Sequence, residues 1–167
     1  LGLAARARMS DASVWLTLRF QELVTQVQSA PKADLTVNLS LPLSADALAR
    51  DLLRHAPPSP LEIERAIERV EDAVMPARAR LPAALRLQTS DARLRAMVGA
   101  AGAARADAPV WLDIDTVEQI FNRLVARAQG RPASQDPLPV DGPSAARLVI
   151  VRELLHHWRL DGLRLTA

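Results

Sequence analysis

Hydrophobic and polar positions alternate along the first quarter of the chain. In residues 14–20, Leu16, Leu18 and Phe20 alternate with Thr17 and Arg19, and similar alternations follow at 23–28 and 35–41. A period of two is typical of strands with one buried face. Because the links are short, with a turn at 30–32, we expect a three-stranded antiparallel meander. A single helix over 12–28 is the alternative, since its apolar residues also share a helical face.

The clearest local signal is the start of a helix at Ser59-Pro60-Leu61-Glu62. Ser59 can accept from the backbone of Glu62 and Glu62 can reach back, while Pro60 suits the first helical position. The apolar residues that follow recur every three or four positions and predict a buried stripe: Ile63, Ile67, Val70 and Val74. A shorter helix, capped by Ser44, is predicted to end near residue 54.

The second half alternates strands with helices. Strands are predicted at 84–88, 110–112 and 163–165. The first helix between them begins at Ser90 or Asp91 and has a tight exit at 99–104, and the second is opened by a capping box at Asp115–Glu118 and ended by Gly130. A proline-containing loop at 131–143 then leads to a helix from Ser144 to Trp158. Three antiparallel strands followed by alternating helices and strands is the ribonuclease H-like order, shared by the halves of actin-like ATPases. We therefore expect one α/β domain with a mixed sheet over 13–167, after a flexible lead-in at 1–12.

Composition narrows the class of protein. The chain has 167 residues, 49% of them hydrophobic, and no cysteine, which excludes disulfides and thiol chemistry. No apolar run approaches the roughly 18 residues of a membrane span. The net charge is only +2, and the high isoelectric point of 10.3 reflects arginines, since Lys32 is the only lysine. We expect a cytoplasmic protein with no membrane span, and we consider nucleic-acid binding disfavoured.

Candidate catalytic residues are sparse. Metal-dependent nucleases of this fold need a carboxylate on the first strand, but Glu22 is the nearest one, and a lone carboxylate there is expected to be a surface group. Phosphate loops need glycine for close backbone approach, and residues 17–22 contain none. Glu153 and His156 have the spacing of a metal-binding pair, but no second pair exists, so a helix-end histidine pair with His157 is preferred. The sequence thus predicts no catalytic, cofactor or metal residues and no cofactor.

The aromatic residues are candidates for a nucleic-acid stacking platform. Trp15, Trp111 and Trp158 fall on faces that the pattern predicts to be buried, so packing in the core is the preferred interpretation.

Two segments resemble a known family. Ser40-Leu41-Pro42-Leu43, followed by the segment 57–63 that begins Pro57-Pro58-Ser59-Pro60, is similar to the exopolyphosphatase/guanosine pentaphosphatase (Ppx/GppA) family of actin-like phosphatases. Residues 99–102, 115–124 and 145–165 also resemble it, so the match covers 13–167 and corresponds to the second of two actin-like halves.

The resemblance implies a degenerate half. The family's first strand pair carries a glycine-rich, serine-containing phosphate loop, whereas Thr17 to Glu22 has neither residue, and Ser44 replaces the glycine after the "SLPL" segment. No functional residue of the family is carried over. The preferred hypothesis is a non-catalytic phosphatase-like domain acting by protein binding or self-association. A phosphohydrolase acting on polyphosphate or guanosine pentaphosphate, and an arginine-mediated nucleic-acid or phospholigand binder, are the alternatives.

Overall fold

The computed structural model describes residues 13–22, 24–30, 35–103 and 109–167. Within them, strands alternate with helices much as the pattern predicts. The strands are β1 (Val14–Phe20), β2 (Thr25–Ser29), β3 (Asn38–Leu41), β4 (Leu85–Thr89), β5 (Val110–Asp113) and β6 (Gly162–Leu165). The helices are α1 (Ala45–Leu52), α2 (Pro60–Ala77), α3 (Ala92–Ala100), α4 (Ile114–Ala128) and α5 (Gly142–Trp158), with single 3-10 turns at Arg78–Arg80 and Ala133–Gln135.

The six strands form one mixed sheet in the order β3-β2-β1-β4-β6-β5. β1 pairs with β2, and β2 with β3, in antiparallel fashion, so the predicted meander is confirmed and the helical alternative for 12–28 is wrong. β4 adds parallel to β1 and β6 parallel to β4, while β5 closes the edge antiparallel to β6. The predicted α/β fold class is therefore correct. The expected lead-in at 1–12 and most of the turn at 30–32 lie outside the described residues.

The two faces of the sheet differ sharply. One face buries aliphatic side chains against the helices, including Leu16, Val27 and Leu87. α5 lies at the centre of the helical layer and contacts all four other helices. The opposite face is polar, and its side chains bond across neighbouring strands, as where Gln88 donates to Thr17 at 3.1 Å. The alternation along each strand therefore directs apolar side chains into the core and polar side chains onto the open face of the sheet.

The helix starts follow side-chain caps, two of them displaced from the predicted residue. The capping box of Ser59 and Glu62 is present, and Asp91 caps α3. α4 is capped by Asp113, which accepts from Thr116, and not by the predicted box at Asp115. α5 is capped by Asp141, and Ser144 lies inside the helix. In both cases an aspartate two or three residues earlier takes the cap, so each helix begins sooner than predicted.

The tryptophans divide between the two sides of the sheet. Trp158 is 1% exposed and its indole N–H donates to the carbonyl of Val74 at 2.9 Å, as expected of a core residue. The prediction is wrong for Trp111, which is 47% exposed on β5. Trp15 is half-buried, and the guanidinium of Arg164 lies 3.8 Å from its ring centroid. Trp15 lies on the open face because the alternation of β1 buries Leu16 and Leu18, and Trp111 does so because β5 buries the neighbouring Leu112.

The loop at 131–143 is held by a buried carboxylate. Asp136 is 3% exposed and forms two hydrogen bonds with Arg123, one of 2.6 Å. The Arg123 guanidinium lowers the pKa of Asp136 to about 2. The loop is thereby tied to α4. None of the described helices has the length and apolar character needed to cross a bilayer.

Candidate functional site

Three helices begin at one end of the sheet. β1, β3, β4 and β6 run in the same direction, and α1, α3 and α5 start beside their carboxyl ends, at Ser44, Asp91 and Asp141. Ligands of open α/β sheets bind at the carboxyl ends of the strands, and free backbone N–H groups at helix starts attract phosphate. This end is therefore the candidate functional site.

Each of these helix starts is closed by its own side chain. Ser44 accepts from the N–H of Ala47 at 3.2 Å, and Asp91 accepts from that of Leu94 at 2.9 Å. Asp141 accepts from both the backbone and the hydroxyl of Ser144. At each helix start one first-turn amide is thus already bonded to the capping side chain, and two of the three caps are carboxylates, which repel phosphate.

Arg147 lies at the centre of the site. It is 8% exposed, and its Nε donates to Asp91 at 3.0 Å while Nη1 donates to Asp46 at 3.3 Å and to the carbonyl of Pro143 at 3.0 Å. Its guanidinium also lies 5.3 Å from the ring centroid of Phe20, at the end of β1. Arg147 therefore joins α1, α3, α5 and β1.

The charge of the cluster is close to balanced without a ligand. Its three carboxylates belong to Asp46, Asp91 and Asp141, and its two cations to Arg147 and Arg93, which pairs with Asp141 at 3.3 Å. An incoming phosphate would add negative charge to a cluster with one surplus carboxylate. The arrangement is thus suited to holding three helices together and poorly suited to stabilising a phosphoryl group.

The described residues of the connection between β1 and β2 bond within the fold. The Gln21 amide donates to the carbonyl of Val24 at 3.0 Å, and the Ser44 hydroxyl donates to the carbonyl of Glu22 at 2.7 Å. Ser44 therefore ties this connection to the start of α1. The Glu22 residue is exposed, in agreement with the surface role predicted for it.

The other candidate residues lie elsewhere. Gly99 is inside α3, and Gly102, with a φ of +77°, makes the predicted tight exit. Asp115 is at the start of α4, at the opposite end of the sheet from Arg147. Glu153 does not pair with His156, whose ring bonds to Glu118; it contacts His157 instead. No local signal in the sequence marks Asp46, Asp91 and Arg147 as a group, because these residues are distant in the chain.

Comparison with solved structures identifies the same fold. The Ppx/GppA phosphatase of Aquifex aeolicus, type II variant, superposes with a TM-score of 0.72 at 12% identity, over 92% of this chain and 53% of that one. An exopolyphosphatase from Cytophaga hutchinsonii gives 0.64 at 11% identity, over 96% and 55%. An exopolyphosphatase-like protein gives 0.62 at 13%, over 98% and 57%. No protein-family model matches the sequence, and neither does any curated protein.

These similarities define the class of fold. The chain has the actin-like, ribonuclease H-like architecture of Ppx/GppA structures, which confirms the resemblance predicted from the sequence. It spans about half the length of the structures it matches, as expected for one of two actin-like halves.

Proposed function

We propose that this chain is a non-catalytic, phosphatase-like domain that acts by binding protein, either a partner or a second copy of itself. The observation that supports it is the closed set of helix starts around Arg147. Phosphoryl transfer depends on backbone amides and cations that meet the phosphate. Here one amide at each helix start is bonded to its capping side chain and Arg147 is paired with two carboxylates, so the fold is retained without the means of catalysis. A cytoplasmic location is part of the proposal, supported by the absence of cysteine.

The test of catalysis is phosphate release from polyphosphate and from guanosine pentaphosphate with magnesium. We expect no turnover above a heat-treated control. The alternative, a phosphohydrolase of the exopolyphosphatase kind, is favoured by the shared fold. Turnover that is lost in Asp91→Asn, and unaffected by Asp51→Asn on the exposed side of α1, would establish that alternative and overturn ours.

The open sheet face is the proposed protein-binding surface. Trp111 projects from it with 47% exposure, beside Arg164 on the neighbouring strand. An exposed indole contributes strongly to protein interfaces. We expect sedimentation velocity to show concentration-dependent association that Trp111→Ser weakens. Leu61→Ser, which removes an apolar group of similar exposure from α2, is the matched control. If the protein self-associates and the two variants behave alike, the sheet face is not the surface used.

The arginine-binder alternative receives less support. Many arginines are engaged within the fold, including Arg123 and Arg152, which pair with Asp136 and Glu118. Salt-dependent binding to single-stranded DNA or RNA would nevertheless establish it.

A further inference from the structure

A second group of ionisable residues lies towards the other end of α5. Glu71 of α2 meets Glu153 and His157 of α5, which are one helical turn apart. The Nε2 atom of His157 is 3.2 Å from Oε1 of Glu71 and 3.4 Å from Oε2 of Glu153. All three potential ligand atoms lie within 4.8 Å of one another. The group thus contains His157, whereas the spacing in the sequence pointed to Glu153 with His156, a pair for which a metal site was not the preferred interpretation.

The separations suit a tetrahedral metal ion. Zinc binds imidazole nitrogen and carboxylate oxygen at about 2.0–2.2 Å, which places two tetrahedral ligand atoms about 3.4 Å apart. Both distances from Nε2 to the carboxylate oxygens are close to that value. One ring nitrogen also cannot donate a full hydrogen bond to two carboxylates, whereas one cation can bind all three groups.

The surroundings orient the buried ligand. The Glu153 side chain is only 3% exposed, and its other oxygen, Oε1, accepts a hydrogen bond from Arg152. Arg152 is itself fixed, because it donates to Glu118 at 2.7 Å and lies 4.4 Å from the Phe121 ring centroid. Metal-binding carboxylates are commonly held in this way by a partner on the second oxygen, which leaves Oε2 directed at the ion.

An ion can reach the group from solvent. The side chains of Glu71 and His157 are 37% and 27% exposed, so a water molecule can serve as the fourth ligand. We propose that Glu71, Glu153 and His157 bind a divalent transition-metal ion, zinc being the best fit, which ties α2 to α5.

This site is independent of the proposed function. Glu153 follows Asp141 by twelve residues along α5, or about 18 Å at the rise of an α-helix. Its ion would stabilise the packing of α2 on α5 and take no part in chemistry around Arg147.

The test uses the purified chain, stripped with a chelator and titrated with ZnCl2 by calorimetry and with Co²⁺ by visible absorption. We expect one ion per chain, the absorption bands of tetrahedral cobalt, and a higher midpoint of thermal unfolding with zinc. Glu71→Gln and His157→Gln should each weaken binding at least about tenfold. His156→Gln is the matched control, since its ring bonds to Glu118 outside the group, and it should leave zinc affinity unchanged.

Circular dichroism without metal establishes that each variant is folded. Because Glu71 is half-exposed, we expect Glu71→Gln to disturb the fold least. Absence of saturable zinc binding by the unsubstituted chain would overturn the proposal. Equal loss in His156→Gln and His157→Gln, or full affinity in Glu71→Gln, would also overturn it.

Discussion

Two buried threonines on the sheet show how a single side-chain hydroxyl can stabilise or destabilise the folded protein. Thr89 on β4 is 1% exposed, and its hydroxyl donates to the carbonyl of Leu18 at 2.9 Å. Thr25 on β2 is fully buried, and its hydroxyl has no hydrogen-bond partner within the described residues. A buried hydroxyl without a partner carries a desolvation cost that a bonded one recovers.

We predict that valine has opposite effects at these two positions. Thr25→Val should raise the free energy of unfolding by about 1 kcal/mol, because it removes an unpaired polar atom and keeps the shape of the side chain. Thr89→Val should lower it by about 1 kcal/mol, because the hydrogen bond to Leu18 is lost. Urea denaturation of both variants checks this. Destabilisation of similar size in both would show that the Thr25 hydroxyl has a partner.

At the scale of elements, α2 illustrates how far the local pattern reaches. Its capping box forms as predicted, and the hydrogen bonds that Glu62 accepts there change the pKa of its carboxyl group. Burial raises the pKa of Glu62, but hydrogen bonds from the Ser59 backbone, His55 and the Arg54 backbone outweigh it and lower the pKa to about 2. Of the apolar stripe, Ile63, Val70 and Val74 are buried, whereas Ile67 is only half-buried.

We predict a graded loss of stability along α2. Ser59→Ala should cost about 1 kcal/mol by removing the cap. Val70→Ala, at a fully buried position, should cost roughly 2 kcal/mol. Ile67→Ala should cost less than Ile→Ala at a buried position, because part of the Ile67 side chain is already in solvent. Urea melts of these three variants and of Ile63→Ala provide the comparison. A larger loss for Ile67→Ala than for a buried position such as Ile63→Ala would contradict the observed orientation of the helix.

The elements were predictable where the signal was local, and uncertain where two local signals competed. Alternation at 35–41 and the box at Ser59 each depend on a few neighbouring residues. At α5, Asp141 and Ser144 are both good caps three residues apart, and the observed helix uses the first, with Gly142 fitting against the carbonyl of Leu53. A β-carbon at Gly142 would lie 2.4 Å from that oxygen, a constraint set by tertiary packing and invisible in the sequence.

The candidate sites were not predictable for a related reason. In the sequence Glu153 and His156 are only three residues apart and suggest a pair, but the fold brings His157 to Glu71, 86 positions away. The sequence predicts Trp111 on a buried face, but β5 has only four residues, which are too few to fix which face of the strand is buried. Long-range contacts and the phase of a short strand both depend on the assembled sheet.

At the scale of the whole molecule, α5 organises the fold. It contacts each of the other four helices, and most of its residues are buried, so its position determines where the helical layer lies on the sheet. Arg147 acts near its start, where it bonds to the first turns of α1 and α3. A nearly buried arginine is costly unless its partners remain in place. The pairing with Asp91, which is 16% exposed, is therefore expected to be the dominant one.

We predict that Arg147 and Asp91 are energetically coupled. Arg147→Met should lower the free energy of unfolding by about 3 kcal/mol, because it leaves the Asp91 carboxylate without its cation. Asp91→Asn should lower it as well, while the double variant should be less destabilised than the sum, with a coupling energy of roughly 1–3 kcal/mol. The matched cycle with Asp46, whose side chain is 53% exposed, should give a smaller coupling because solvent screens that pair. Denaturation of the four proteins in each cycle measures both values. Additive effects at Arg147 and Asp91 would show that the cluster does not hold the helices together. The carboxylates at the helix starts would then have no structural role of the kind proposed here.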